Sequence, residues 1–376
     1  MDFEFTEEQE LIRQVAREFA ETEIRPVVGE LDEKGEYPEE LAQKCVEMGF
    51  RAMGYPEEYG GAGGGFIEQT IIIEELCKVT GQGPNIGPSP LAYGLILSGR
   101  QNLIDKYLPD FLEGKTHIAM GWTEPNAGSD SGNVQTTAVK DGDEWVLNGN
   151  KCFITGSSWA YVFYISARTV DENDKEGISV FVVDRDMPGF QEGATEKKYW
   201  WRGSGTGDIY LKDLRVPADH MIGEVNEGPK IVAGVLEMGR LMCATSALGL
   251  AEGALAQATE YAKQREQFGR PIAKFQVIQH MLADMSVMCE AARLMVYRAA
   301  AMRDAGKPMA LEASYAKLFT TEIAKRVCDD AMQICGGMGL DMHFGIDRYY
   351  RDARTMSISE GTSQIQRHII SKSLLK

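Results

Sequence analysis

The feature that most constrains this chain is a hydrophobic period that changes twice. The first stretch reads helical. Thr6 with Gln9 forms a capping box, and behind it Leu11, Ile12, Val15 and Phe19 recur on one helical face. Residues 56–65 hold Pro56 and five glycines, so they must be a loop. Helical patterning resumes over 67–78 and 103–112. Near residue 118 the pattern becomes that of strands. Runs of β-branched and aromatic residues at 162–166, 178–183 and 208–211 are split by polar turns. The dipeptides Asp141-Gly142 and Asn148-Gly149 bracket a short strand at 144–147. From Ile231 onward Ala, Leu, Met and Glu dominate. Pro271 and Pro308 separate helices expected at 231–267, 273–305, 309–336 and 362–375. This order predicts an α+β protein: an N-terminal helical domain (1–117), a middle antiparallel β-barrel domain (118–228) and a C-terminal four-helix bundle (229–376). The two helical parts are expected to share one core.

The chain's 376 residues suffice for such an arrangement. A formal net charge of −17 disfavours nucleic acid and anionic membranes as partners, since phosphates would be repelled. The longest apolar runs, such as Ile71-Ile72-Ile73, fall far short of a membrane span. Seven cysteines, odd in number and without a CxxC pair, read as reduced, buried thiols. The acidic N-terminus has no apolar signal core, which leads us to expect a cytoplasmic, bacterial-type enzyme. Neither a dinucleotide fingerprint nor a P-loop is present, and five scattered histidines give no metal-ligand spacing.

Three uncommon segments carry the chemistry. Thr123-Glu124-Pro125-Asn126-Ala127-Gly128-Ser129-Asp130 is a turn rich in backbone N–H groups, suited to cradling a polar ring edge. Arg265-Glu266-Gln267-Phe268-Gly269 reads as a helix end with Gly269 as the stop and cations set against the dipole. Glu360-Gly361-Thr362-Ser363-Gln364 places one carboxylate beside a Gly-Thr turn, just before the last helix. In this order and at these separations, the three resemble the acyl-CoA dehydrogenase family over essentially the whole chain.

The resemblance implies FAD as cofactor and Glu360 as the base that removes a proton alpha to a thioester. It implies that Trp122, Thr123 and Ser129 line the flavin, Ser129 also touching the CoA moiety. Phe153 and Thr155, in Cys152-Phe153-Ile154-Thr155-Gly156, would stack on and hydrogen-bond the ring. Thr362 and Gln364 would hold FAD just beyond the base. Arg265, Phe268, Gln276, Gln333, Gly336 and Gly337 would reach the FAD of a neighbouring subunit, with an Arg as a bidentate anion clamp. At least a dimer, and by resemblance a homotetramer, follows. Electron-transferring flavoprotein is the implied electron acceptor.

The acyl-CoA substrate would meet Leu91, Tyr93, Glu237, Gly239, Arg240, Ser359 and Gly361. Glu237 stands where the family often has Asp, and an i,i+3 ion pair with Arg240 is an equal reading of that residue. Ser359 replaces a large Tyr common in straight-chain members. Gly239 stands where other members carry a larger residue or an alternative glutamate base. These two small residues predict a wide cavity for a branched or alicyclic acyl group, cyclohexanecarboxyl-like. The alternatives are a short- or medium-chain dehydrogenase whose pocket is refilled by Tyr93 or Trp122, and an enoyl-CoA reductase of the same fold. Residues 89–93 contain no Arg for a second carboxylate, which disfavours diacids.

Overall fold

A computed structural model describes residues 4–81 and 83–376, leaving the side chain of Pro84 aside; the first three residues of the acidic N-terminus lie outside it. The N-terminal part comprises α1 (Glu7–Phe19), α2 (Val28–Lys34), α3 (Glu39–Glu47), α4 (Phe66–Cys77), α5 (Gly83–Ile86), α6 (Tyr93–Ser98) and α7 (Gln101–Leu112). The capping box forms: Gln9 N–H donates to Thr6 Oγ1 at 3.2 Å and Thr6 N–H to Gln9 Oε1 at 3.1 Å. α4 is buried almost all round and carries Glu74 and Glu75 inward, where Arg17, Lys78 and Arg293 neutralise them.

The middle part is one sheet of eight strands: β1 (Ile118–Gly121), β2 (Thr137–Asp141), β3 (Glu144–Ile154), β4 (Val162–Val170), β5 (Glu176–Asp184), β6 (Phe190–Thr195), β7 (Gly207–Pro217) and β8 (Met221–Ile222). Its order is β6-β7-β3-β2-β4-β5-β8, with β1 beside β4. The sheet curls around an interior of Trp145, Leu147, Phe163, Phe181, Ile209 and Leu214. Most neighbours are antiparallel, but β1 and β2 both run parallel to β4. They are one interrupted line: β1 pairs with residues 162–165 and β2 meets Arg168 further along the same edge. The chain leaves that line at 122–136, and this excursion is what projects the Thr123–Asp130 segment out of the sheet.

Asn148-Gly149 is not the turn expected of it. β3 continues through it with a register shift against β7. Gly is required there because an added Cβ would lie 2.7 Å from the Thr136 Cα.

The C-terminal part holds α8 (Gly228–Gln264), a hairpin of β9 (Glu266–Gln267) and β10 (Arg270–Pro271), then α9 (Gln276–Asp304), α10 (Ala310–Cys335), α11 (Ile346–Met356) and α12 (Ser363–Leu374). By length and composition α8 is apolar enough to cross a membrane, but 67% of that apolar window is buried inside the protein, as befits a central bundle helix. α11 was not anticipated. Its sequence is Arg- and Asp-rich, so only a narrow apolar stripe marks it as helical. One hydrophobic cluster joins Tyr93 and Leu103 of the first helices, Val162 and Val182 of the sheet, and Met238, Val296 and Ala316 of the bundle. The helical parts thus share a core, and the sheet's outer face closes it. All seven cysteines are free, and six are buried.

Candidate functional site

The Glu360 loop lies between α11 and α12. Glu360 has φ 54° and Gly361 φ 86°, so two successive residues are left-handed. For a glutamate that conformation costs energy and persists only where neighbours enforce it. Three contacts do so. Lys317 Nζ on α10 donates to the Gly361 carbonyl at 2.7 Å. Gln366 Nε2 on α12 donates to the carbonyls of Glu360 (3.1 Å) and Gly361 (3.0 Å). Thr362 caps α12, accepting from Ile365 N–H at 3.2 Å. No acceptor among the described residues takes the Glu360 N–H.

The half-buried Glu360 carboxyl lies directly over Gly239 of α8. An added Cβ at Gly239 would stand 2.6 Å from Glu360 Oε2. The glycine is therefore needed for the carboxyl's place. Burial pushes the Glu360 pKa up, and the charges of Arg240 and Lys317 pull against that rise. Arg240 is half-buried with an unpartnered Nε, and burial depresses its pKa. Glu237 is half-buried too and raised by burial, against which the charge of Arg240 pulls; of its two readings, the i,i+3 ion pair with Arg240 is not formed. Ser359 is half-buried, its Oγ 3.8 Å from Cys243 Sγ.

On the side of the first helices, Tyr93 is buried. Its hydroxyl donates to the Gly54 carbonyl and its ring stacks on Tyr55 at 4.7 Å. Leu91 and Trp122 pack against the same cluster as Tyr93 and Met238, which brings the 122–136 excursion up to the helix bearing Gly239. Trp122 Nε1 donates to the Ser131 carbonyl at 3.0 Å.

Thr123 and the Phe153 strand end are joined: Cys152 N–H donates to the Thr123 carbonyl at 3.0 Å. Beneath them lies a buried ion pair that the motif reading missed. Glu124 Oε1 accepts from Lys151 Nζ at 2.6 Å, with exposures of 3% and 0%. Glu124 also accepts from the N–H groups of Gln135 (2.6 Å) and Thr136 (3.1 Å). Burial alone would raise the Glu124 pKa; these donors win and hold it below the ordinary value. Phe153 has φ 55° and is 60% exposed. Thr155 is half-buried, Oγ1 3.4 Å from Thr206 Oγ1, which accepts from Lys198 Nζ. Ser129 and Gln364 are exposed and Thr362 half-buried.

The remaining candidates are elsewhere. Arg265 follows the last residue of α8, Gln276 begins α9, Gln333 lies in the last turn of α10 and Gly336 and Gly337 follow directly after it, so all share one end of the bundle. Gly269 is no helix stop: Phe268 (φ 51°) and Gly269 (φ 74°) form the turn of the β9–β10 hairpin, with Phe268 93% exposed. Along α8, Gly239 and Arg265 stand about 39 Å apart at the α-helical rise per residue. The two halves of the candidate set are therefore separated within one chain.

A flat polar ring with a phosphate tail fits both halves. Exposed Phe153 and hydroxyl-bearing Thr123 and Thr155 form one face. At the far end Arg265 and Gln276 are exposed, and a Cβ added to Gly269, Gly336 or Gly337 would meet nothing within 4 Å. Among the described residues, no group of three or more His, Cys, Asp or Glu is placed to hold a metal ion.

Comparison with known proteins agrees along the whole length. Family models of the acyl-CoA dehydrogenase N-terminal, middle and C-terminal domains match residues 6–115, 119–214 and 226–375. A probable acyl-CoA dehydrogenase, YngJ of Bacillus subtilis, is 41% identical, with all of both chains covered. The caffeyl-CoA reductase–Etf complex subunit CarC of Acetobacterium woodii is 42% identical over 99% of each chain. The solved structure of butyryl-CoA dehydrogenase from Megasphaera elsdenii superposes with a TM-score of 0.95 at 37% identity, again over both whole chains.

Proposed function

Because this chain belongs to the acyl-CoA dehydrogenase family of flavin-dependent oxidoreductases, we propose that Glu360 is the base that removes the α-proton of an acyl-CoA thioester, giving the 2,3-enoyl-CoA. The observation that carries this is the Glu360 carboxyl held over Gly239 by a left-handed turn, with its pKa raised by burial. A carboxylate raised toward working pH is a better proton acceptor, and Arg240 and Lys317 oppose its premature protonation. The free Glu360 N–H is suited to polarise the thioester carbonyl as negative charge develops there.

FAD, when bound, supplies the acceptor for the β-hydrogen with its electron pair. Trp122, Thr123, Ser129, Phe153, Thr155, Thr362 and Gln364 would hold it. Arg265, Phe268, Gln276, Gln333, Gly336 and Gly337, some 39 Å along α8 from the base by the helical rise, would serve a neighbouring subunit's FAD. That requires a dimer at least, and a homotetramer is our reading. Arg240, Glu237, Ser129 and Gly361 would contact the CoA thioester, with Leu91 and Tyr93 at the acyl wall. Electron-transferring flavoprotein is the proposed acceptor of electrons, a role to which the Etf complex named for CarC lends support.

The acyl group we propose is branched or alicyclic, cyclohexanecarboxyl-like. Ser359 supports it; Gly239 does not, because the space its missing Cβ leaves is taken by Glu360. A second reading, enoyl-CoA reduction, is favoured by the 42% identity to a caffeyl-CoA reductase subunit. Anaerobic mixing of the holoenzyme with butyryl-, octanoyl-, isobutyryl-, cyclohexanecarboxyl- and glutaryl-CoA tests all three. Bleaching of the visible flavin band by one thioester, abolished in Glu360→Gln, is expected. Butyryl-CoA far outrunning every cyclic substrate would sink the alicyclic reading. If none of the panel bleaches the flavin, the reductase reading takes over.

A further inference from the structure

Lys317 is a charged residue near Glu360 to which the motifs gave no role. It is fully buried, yet its surroundings on α10 are Ala313, Ala316, Thr320 and Thr321. A buried ammonium is costly unless something compensates it. Its hydrogen bond goes not to a carboxylate but to the carbonyl of Gly361, the residue after the base. Each of Lys317 and Glu360 lies close enough to act on the ionisation of the other.

Resting on the reading of Glu360 as base, we propose that Lys317 is a positioning residue for it: the ammonium, tied to the Gly361 carbonyl, fixes the turn that aims the Glu360 carboxylate and places a positive charge beside it. Gln366 grips the same turn from α12 without a charge, which separates the two effects. The other charged or titratable groups that act on Glu360, on Lys317 or on their immediate partners are Glu237, Arg240 and Cys243 on α8, Arg303 on α9, Glu322 and Lys325 on α10 and Arg367 on α12. Of these, Arg240 is the second cation acting on Glu360 and must stay unchanged in the test.

The test compares wild-type holoenzyme with Lys317→Met, Lys317→Gln and Gln366→Leu, using Glu360→Gln as control. Two quantities are followed against pH. One is the rate of flavin bleaching by the best thioester of the panel above. The other is the Glu360 carboxyl infrared band, assigned by difference from Glu360→Gln. Removing a cation raises the pKa of a neighbouring acid, so the limb where activity is lost as pH falls should move up. Lys317→Met should slow bleaching about tenfold or more and shift both the limb and the infrared titration upward by about one unit. Lys317→Gln, which keeps a donor, should show the same shift with a smaller rate loss. Gln366→Leu should lose rate with the limb in place.

Flavin-loaded Lys317 variants with rates within about twofold of wild type and an unmoved infrared titration would overturn the proposal; so would Gln366→Leu moving the limb equally far. Should Lys317→Met fail to fold, Lys317→Gln and Gln366→Leu carry the comparison. Wild-type bleaching by Glu360→Gln would refute the base assignment itself. A silent Glu360→Gln beside unaffected Lys317 variants would refute this proposal alone.

Discussion

At Gly239 a single hydrogen atom decides where the base can lie. Ala would gain roughly 1 kcal/mol of helix propensity over Gly in a helix interior. Its Cβ would also arrive 2.6 Å from Glu360 Oε2, and the carboxyl would have to swing away. Gly239→Ala is thus expected to lower the bleaching rate about tenfold or more while the thermal midpoint stays level or rises; a rate loss paralleled by a falling midpoint would mean general damage instead. The residue scale also marks what the sequence could and could not disclose. Glu360, Thr123 and Phe268 are found by their neighbours in the chain. Lys317 and Gln366 act through space from α10 and α12. The signal for Lys317 was faint: a lysine on the stripe Ala313, Ala316, Thr320, Ala324, where the helix otherwise turns only small residues inward. Glu124 and Lys151 were equally hidden, being 27 residues apart and each ordinary alone.

Among the elements, the interrupted β1–β2 line does the most for the site. A strand that leaves its sheet and rejoins the same edge makes a loop anchored at both ends, and Glu124–Lys151 pins it from below. Removing one member of a buried pair leaves the other charged and unpaired. Lys151→Met should therefore destabilise the protein by about 3–5 kcal/mol. Combining it with Glu124→Gln should restore part of that, as chemical denaturation would report. A double variant no better than Lys151→Met would mean that the N–H bonds to Gln135 and Thr136, not the charge, dominate. The period change announced a sheet here, but not the excursion. Four-residue β1 is too short for alternation to register, and its parallel partner lies 44 positions on. Likewise α11 escaped because its face toward the core is narrow and its charges are spent on Asp32 and the Tyr199 carbonyl.

On the scale of the molecule, the three parts meet at Asp352. This buried α11 carboxyl accepts from Trp201 N–H of the β part at 2.9 Å, while neighbouring Arg351 binds Asp32 of α2 at 2.6 Å. Burial raises the Asp352 pKa to about 7. An acid raised on folding is protonated in both states well below pH 4. Between about pH 4 and 7 only the unfolded chain loses the proton, so this group's contribution falls as pH rises. Asp352→Asn should raise the thermal midpoint more at pH 8 than at pH 5; an equal effect at both would exclude the titration. The same backbone that seats the site also marks it. Of the bulky residues held at positive φ, Phe153, Phe268 and Glu360 belong to the candidate site and Trp201 does not; at each, glycine would relax the chain. A breeder selecting this protein for heat resistance alone would be drawn to those codons first, and each gain in shelf life at the three of the site would be taken from the catalyst.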